Sequence, residues 1–422
     1  MDNLICNADL HIHGLYSGAV SRDMTPNKIA EQAPLKGLNL VATGDILNSR
    51  WTRLVKEQLN ESKTCEGILE HKNGMKFILQ TEINDINRVH HIILFPSFSK
   101  VEEVRKVFMN KCKDLDTEGR PTIHLSGEEI AEICLKADCL LGFSHAFTPY
   151  FGLYSKYNSY KECYGKYWNK IYFMELGLSA DTNMADRISE LHNLTFTSNS
   201  DAHSPWPNKL GREFNIFQLK ELSFDEIKKA LKREGERKSI ANIKFNPLEG
   251  KYHKTRCTGC LKFYEPEDAI KLRWRCSNCG KYIKKGVDYR IHELADVPEG
   301  IHPEHRPKCT YIIPLSEIIA LAFGINNAWS IKVQLIWKKF IEKFGNEIKV
   351  LLKAEINEIE KIDKDVAKYV KYFREDKIKY IPGGAGVYGK LVRPNEEINI
   401  NNYRKKQASL EDFSDKVQKK LF

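Results

Sequence analysis

The sequence predicts an α/β barrel with metal-binding side chains, followed by a small zinc module and a helical region. Strand-like and helix-like stretches alternate through the first 246 of 422 residues, as in βα proteins. Side chains able to bind metal lie at the ends of the predicted strands. Two Cys-x-x-Cys pairs come later in the chain. We therefore divide the chain into a barrel (1–246), a zinc ribbon (247–290), a helical region (291–398) and a flexible tail (399–422).

Composition indicates a soluble globular protein, with 42% hydrophobic and 29% charged residues. Because there is no long apolar run and no basic leader, we expect a cytoplasmic protein that does not bind membranes. The net charge of +10 is concentrated late in the chain, where residues 251–422 carry 34 Lys and Arg against 23 Asp and Glu. This asymmetry favours a polyanionic partner, and a merely soluble basic surface is the alternative.

The first strand contains the densest group of metal-capable residues. Side chains two apart on a strand share a face, so Asp9, His11 and His13 lie together. Taken alone, this pattern also fits a polar strand face with satisfied histidines. Matching groups elsewhere in the chain favour a metal site.

Further strands are predicted over 38–43, 75–83, 90–95, 139–144, 171–176 and 194–198, and the matching groups lie near the end of a strand or just after one. They are Asp45, Glu82, His145, Glu175, Asp201 and His203. Any one of them could be a capping Asp or a satisfied His. Because the carboxyl ends of parallel barrel strands meet at one face, their recurrence predicts a single metal centre there.

This series, Asp-x-His-x-His, Thr-Gly-Asp, Glu, His, His, Asp-x-His, resembles the PHP family over roughly the first 240 residues. The resemblance implies a distorted (β/α)₇ barrel with two or three divalent ions for phosphoester hydrolysis, Zn²⁺ being preferred over Mn²⁺, Fe²⁺ or Mg²⁺. The implied ligands are His11, His13, Asp45, Glu82, His91, His145, Asp201 and His203.

Among these ligands, Glu82, Asp201 and His145 are expected to take the catalytic roles, with the two carboxylates as metal bridges. His91 is preferred to His90 because the histidine of the family directly precedes its apolar strand. The chain departs from the family at Asp45, where most members have a histidine, and in residues 14–18, which lack the usual acidic residue.

The four cysteines of the second segment are Cys257, Cys260, Cys276 and Cys279. This C-x₂-C…C-x₂-C spacing is typical of one structural tetrahedral zinc, and a pair of redox dithiols is the less favoured alternative. A basic aromatic face on the ribbon is predicted by the adjacent residues Arg256, Arg273, Trp274 and Arg275.

Two other segments leave alternatives open. The aromatic segment, residues 146–170, could stack on bases or fold as a flap that buries its own tyrosines. The Gly-rich segment, residues 382–390, could meet a phosphate through its backbone amides or form a plain tight turn. Helical periodicity is expected over 315–323, 331–344 and 351–372.

Barrel, ribbon, helical region and the Pro-Gly-Gly-x-Gly-x-Tyr-Gly segment together resemble the endonuclease Q family. The resemblance implies a DNA repair endonuclease that nicks damaged duplex DNA 5′ to deaminated bases or abasic sites, leaving 3′-hydroxyl and 5′-phosphate ends. It also implies that Ser179 and Asn199 contact a flipped-out base. A small-molecule phosphatase of the histidinol-phosphate type and a non-catalytic DNA-binding scaffold are the alternatives.

The tail contains Gln407, Leu410 and Phe413 at the spacing Gln-x-x-Leu-x-x-Phe. This pattern resembles peptides that dock on the sliding clamp PCNA, although Ser414 stands where a second aromatic is usual. A basic tail with one amphipathic turn is the alternative.

We predict that a peptide of residues 401–422 binds the cognate clamp, because Leu410 and Phe413 would fill a hydrophobic pocket. Isothermal titration measures the affinity, and a peptide with Gln407, Leu410 and Phe413 changed to Ala is the control. Equal binding by both peptides, or none by either at high micromolar concentration, rejects the clamp interaction.

Overall fold

The structure is a computed structural model that describes residues 3–394 and residue 396. Within these residues no helix is long and apolar enough to cross a membrane. The strands of the described part, β1 to β16, are Leu4–Asp9, Leu40–Ala42, Leu59–Glu61, Ile68–His71, Lys76–Asn84, His90–Phe95, Leu140–Phe143, Phe173–Glu175, Thr195–Thr197, Phe214–Leu219, Lys238–Lys244, Arg256–Cys257, Ile283–Lys284, Lys308–Tyr311, Lys379–Ile381 and Lys390–Val392.

The helices of the same residues alternate with these strands in the barrel and dominate residues 315–374. In chain order, α1 to α13 are Pro26–Lys36, Ser49–Gln58, Phe98–Met109, Gly127–Lys136, Tyr160–Tyr164, Thr182–Ala185, Phe224–Lys232, Pro266–Lys271, Val287–Leu294, Leu315–Phe323, Ile331–Phe344, Ile356–Glu360 and Lys364–Arg374.

The strands β1, β2, β5, β6, β7, β8 and β9 follow one another around a curled sheet. All are parallel except β6, which pairs antiparallel with both neighbours. A parallel bridge between Ile12, just beyond β1, and Ala202, just beyond β9, joins the two ends of the row. The predicted distorted (β/α)₇ barrel is therefore confirmed, and the reversed β6 is its main distortion.

The direction of β6 determines which of its ends faces the site. In parallel barrels the functional end is the carboxyl end of the strands. Because β6 runs the opposite way, its first residues, His90 and His91, lie at that same end, opposite the last residues of β5.

The sheet continues past β1 through β10, β11 and β14. Strand β14 comes from the region predicted to be helical and pairs parallel with β11. Helices α10, α11 and α13 bury residues in the same hydrophobic core as the barrel. The helical region is thus packed onto the barrel and does not form a core of its own.

Local sequence signals explain several helix boundaries. Ser126 and Glu129 form the predicted capping box at the start of α4. Helices α10 and α11 have the predicted limits. The predicted helix over 351–372 is instead interrupted by extended backbone at Ala354 and Asp363. Arg374 folds back on the first part and donates to the carbonyls of Val350, Leu351 and Ala354.

The Gly-rich segment is a backbone clasp on residues 248–254. Gly383 donates to the carbonyl of Leu248 at 2.6 Å, and Gly389 donates to that of Glu249 at 3.0 Å. A Cβ on Gly389 would lie 2.2 Å from the Leu248 carbonyl oxygen. Close backbone approach therefore explains why glycine is needed here.

A buried ion pair connects the barrel to the helical region. Lys36 Nζ of α1 lies 2.8 Å from Glu347 Oε2, and both side chains are fully buried. The other carboxylate oxygen of Glu347 accepts a hydrogen bond from Trp337 Nε1 of α11. The pair fixes the position of α11 against α1.

We predict that Lys36→Met lowers the free energy of unfolding by about 3–5 kcal/mol, because it leaves the Glu347 carboxylate buried without its cation. Adding Glu347→Gln should recover much of the loss, since the amide oxygen still accepts from Trp337. Urea unfolding followed by tryptophan fluorescence measures both. The control is Lys28→Met, which breaks the exposed Lys28–Glu31 pair of the same helix and should have no measurable effect. Equal destabilisation by Lys36→Met and Lys28→Met would show that the buried pair has no special role.

Candidate metal centre

The centre is built around Glu82, whose carboxylate is completely buried near the end of β5. His11 Nε2 lies 3.5 Å from Glu82 Oε1, and His13 Nε2 lies 3.5 Å from Glu82 Oε2. Both histidines project from the extension of β1 beyond Asp9, on one face because they are two residues apart. These three side chains form one group with metal-ligand spacing.

Asp201 and His203 come from the segment after β9 and complete a second group with His13. Asp201 Oδ1 is 3.0 Å from His13 Nε2 and 3.8 Å from His203 Nδ1. The backbone brings them there, because Asp201 N donates to the carbonyl of His11 and His13 N donates to that of Ala202.

A third group consists of Glu82, His90 and His145. His90 Nδ1 and His145 Nε2 lie 3.0 and 3.2 Å from Glu82 Oε1. Because His13 and Glu82 are each shared by two groups, the three groups form one continuous cluster.

The unpartnered atoms of the cluster fit bound cations. Within the described residues, several buried polar atoms that face the cluster have no hydrogen-bond partner. They are His11 Nε2, His13 Nε2, both oxygens of Glu82 and Asp201 Oδ1. Buried polar atoms are normally hydrogen-bonded, and nitrogen and carboxylate donors are the ligands of Zn²⁺, Mn²⁺ and Fe²⁺.

Outer carboxylates orient the two histidines that follow β1. Glu175 Oε2 lies 2.8 Å from His11 Nδ1, and Asp45 Oδ1 lies 3.0 Å from His13 Nδ1. Such partners fix the ring of a ligating histidine and leave Nε2 free to bind. Asp45, predicted as a ligand, therefore lies behind His13 instead of facing the shared cluster.

Three residues of the centre have strained backbones. Asp45, His145 and Asp201 have φ angles of 41°, 25° and 47°, in a region that non-glycine residues rarely occupy. Such conformations cost about 1–3 kcal/mol each and persist where the surrounding structure holds them. Here they turn the chain sharply after a strand and direct the side chains inward.

Charge in the centre is strongly coupled. Burial lowers the pKa of His11, but the carboxylates of Glu175 and Glu82 outweigh it and raise that pKa to about 10. Burial lowers the pKa of His90 to about 4 despite the neighbouring Glu82. For Glu82 itself, burial opposes ionisation, and the surrounding histidines still hold its pKa well below the usual range.

The structure does not bring His91 into this cluster, and His90 is there instead. Neighbouring residues of a strand point to opposite faces. In the β5–β6 ladder Glu82 pairs with Ile92, whereas His91 pairs with Ile83, so His90 shares the face of Glu82. His91 faces away, toward Asp85 and Tyr164.

The predicted base-contacting residues, Asn199 and Ser179, are both buried. Asn199 is buried, with its Oδ1 accepting from Leu10 N and its Nδ2 donating to Glu175 Oε2, both at 2.9 Å. Ser179 lies against Gly250, where a Cβ would come within 2.5 Å of the serine hydroxyl oxygen.

Two residues of the centre were not predicted. One is His90, and the other is Arg120, whose Nη1 lies 3.7 Å from Glu82 Oε2. His90 could have been found by recognising that β5 and β6 form an antiparallel pair, because their register places His90 on the same face as Glu82. No sequence pattern marks Arg120, because it stands in the irregular stretch between α3 and α4.

The four ribbon cysteines converge as predicted. Their sulfurs lie 3.4 Å apart in the pairs Cys257–Cys279 and Cys260–Cys276, which fits ligands of one tetrahedral zinc. Tyr264 donates a hydrogen bond to Cys276 Sγ at 3.1 Å. Arg256, predicted on the basic face, is instead buried beside Phe263.

The aromatic segment is mostly a folded flap. Tyr154, Tyr160 and Tyr164 are buried in the barrel core. Phe151 stacks on His90 with 4.6 Å between ring centroids. The neighbouring Tyr150 is 52% exposed and has a φ of 81°.

Comparison with known proteins matches residues 314–377 to the family described as the MJ0043 C-terminal domain. The uncharacterized protein MJ0043 of Methanocaldococcus jannaschii is 45% identical over 273 residues, 62% of this chain and 34% of that protein. The uncharacterized protein YqxK of Bacillus subtilis is 30% identical over 411 residues, 91% of this chain and 98% of that protein. The chain thus spans about a third of the first relative and nearly all of the second.

Two solved structures are similar over almost their whole length. The lesion-specific endonuclease PfuEndoQ from Pyrococcus furiosus has 45% identity and a TM-score of 0.87, covering 95% of this chain and 99% of that one. An endonuclease Q in complex with a 27-mer duplex substrate, with an abasic lesion at the active site, has 45% identity and a TM-score of 0.86. That match covers 93% of this chain and 97% of the other.

We predict that Cys276→Ala removes one zinc and unfolds the ribbon, because structural zinc binding is worth roughly 10–16 kcal/mol in apparent terms. Metal analysis should show one zinc fewer, and limited proteolysis should cut within residues 255–285. Cys309→Ala, which changes a cysteine outside the ribbon, is the control. Unchanged zinc content in Cys276→Ala would refute the structural zinc.

Proposed function

Because the chain belongs to the endonuclease Q family, we propose that it is a metal-dependent, lesion-specific DNA endonuclease that nicks damaged duplexes. The observation that carries this proposal is the cluster of unpartnered imidazole and carboxylate atoms at the carboxyl end of the barrel. Such a cluster suits phosphodiester hydrolysis. Cleavage 5′ to uracil, hypoxanthine, xanthine or an abasic site, with 3′-hydroxyl and 5′-phosphate products, is part of the proposal.

The residues that would hold two or three divalent ions, with zinc preferred, are His11, His13, Glu82, His90, His145, Asp201 and His203. When bound, such ions would lower the pKa of an attacking water and neutralise charge on the leaving oxygen. Glu82 and Asp201 are the carboxylates best placed to serve two ions, since each lies near several imidazoles.

The protein's own groups would position the substrate. Glu175 and Asp45 hold His11 and His13 in fixed orientations. The guanidinium of Arg120 faces the same cluster and offers a fixed positive charge to the scissile phosphate. Preorganised charge of this kind costs no reorganisation during the reaction.

Exposed aromatic rings with a lysine over them would contact the DNA beside the centre. Lys284 of the ribbon lies 5.5 Å from the ring of Tyr150, and Lys251 lies 5.6 Å from that of Tyr388. Both tyrosines are 52% exposed. Rings can stack on bases and lysines can pair with phosphates, so these two pairs suit a duplex that bridges barrel, ribbon and Gly-rich clasp.

The lesion base would be flipped out of the helix beside the metals. Ser179 remains the residue that we propose for contact with that base. Both ends of the Asn199 amide are used within the protein, so we propose that Asn199 instead positions Glu175 and β1. Binding to PCNA through Gln407, Leu410 and Phe413 also remains a proposal, and those residues lie outside the described part of the chain.

We predict that Asp201→Ala lowers the nicking rate by roughly a thousandfold or more, about 4 kcal/mol of transition-state stabilisation. The reason is that the carboxylate of Asp201 belongs to the cluster, whereas its side chain takes no part in the hydrophobic core of the barrel. Denaturing gels of a duplex with a single abasic site measure the rate, and a second duplex with deoxyuridine tests deaminated bases.

The control for this variant is Asp23→Ala, which removes an exposed carboxylate outside the cluster and should leave nicking unchanged. Circular dichroism melting checks that both variants fold. Near-normal turnover by folded Asp201→Ala protein would reject the assigned centre. Equal cutting of undamaged DNA by the wild type would reject lesion specificity.

A further inference from the structure

A further group of metal-binding side chains lies in the protein interior, away from the face of Glu82. It consists of Asp85, His91 and Cys163, all buried, with their candidate ligand atoms within 4.8 Å of one another. We propose that these three residues form a structural metal site of the Zn²⁺ class that fastens the aromatic segment to the barrel. The site is separate from both the cluster at Glu82 and the ribbon.

The geometry of two ligand atoms suits an ion between them. Asp85 Oδ2 and His91 Nε2 are 3.4 Å apart. Neither makes a hydrogen bond to any residue in the described part of the chain. Tetrahedral zinc with bonds of about 2.0 Å to nitrogen and oxygen separates such ligands by about 3.3 Å. The pair therefore has the spacing of two coordination positions.

The remaining atoms of both side chains are held by other partners. Asp85 Oδ1 accepts hydrogen bonds from Asn87 N and Val89 N, both at 2.8 Å. His91 Nδ1 lies 2.8 Å from the hydroxyl of Tyr164. Each residue is thus oriented by one atom and presents the other to the same space, as ligands with fixed outer partners do.

The third ligand comes from the aromatic segment. Cys163 is in helix α5, and its sulfur lies against the first turn of α4, where a Cβ on Gly127 would come within 2.5 Å of it. Thiolate, imidazole and carboxylate are the three ligand types that zinc accepts in proteins. Burial raises the pKa of the Cys163 thiol, so a bound cation would be needed to hold its thiolate here.

A metal here would connect parts of the chain that are distant in sequence. Asp85 follows β5, His91 is in β6, and Cys163 belongs to the segment that carries Phe151 against His90. Loss of the ion should therefore loosen the aromatic segment. The competing explanation is a plain Asp–His ion pair beside a free thiol.

The test is metal analysis of full-length protein purified in zinc, comparing wild type with Cys163→Ala and with Cys6→Ala. Cys6 is an equally buried cysteine and serves as the matched control. We expect Cys163→Ala to contain one zinc fewer than both others. His91→Gln should lose the same zinc, and the double variant should lose no more. Unchanged zinc in Cys163→Ala would overturn the proposal.

A second measurement does not depend on how the variants fold. Anomalous scattering at the zinc edge from wild-type crystals should give a peak between Asp85, His91 and Cys163, apart from those of the ribbon and the barrel centre. Absence of that peak in zinc-grown crystals would overturn the proposal. Because neither measurement uses DNA, the outcome is independent of the proposed nuclease function.

Discussion

The buried carboxylate of Glu82 is the constraint on which the centre depends. Four histidines each bring a ring nitrogen within 3.5 Å of one of its two oxygens. Two of them lie just beyond β1, one is in β6 and one lies just beyond β7. An isolated charge at such depth would be costly, so the strands around it must deliver compensating groups in the right register. The reversal of β6 brings His90 to Glu82, and the sharp turns at His145 and Asp201 place their side chains in the same cluster.

Much of this arrangement could be predicted because it depends on local pattern. Strand ends marked by His, Asp and Glu, the two Cys-x-x-Cys pairs and the capping box at Ser126 are signals carried by a few neighbouring residues. The choice between His90 and His91 was different, because it depends on the register between β5 and β6. A one-residue shift in that register would move every side chain of β6 to the opposite face of the sheet. Arg120 could not be predicted, since only the folded chain brings it near Glu82.

The helical region shows a second limit of sequence reasoning. Periodicity identified α10 and α11, but it also continued through residues 351–372, where the chain turns back. Arg374 stabilises that turn by donating to carbonyls more than twenty residues earlier in the chain. Helical periodicity is a local pattern and cannot reveal a contact at that separation. Similarly, the pairing of β14 with β11 and the buried pair of Lys36 and Glu347 are long-range. They make barrel and helical region one packed body.

The closure of the barrel determines when, during synthesis of the chain, the clustered side chains can come together. The two ends of the row of strands meet through Ile12 and Ala202, and the adjacent hydrogen bonds involve His11, His13 and Asp201. Closing the barrel and assembling the ligands are therefore the same event, between segments about 190 residues apart. A nascent chain must be synthesised past His203 before the ligands can meet. A shortened polypeptide that ends before residue 201 would therefore lack Asp201 and His203, together with the contact that closes the row of strands.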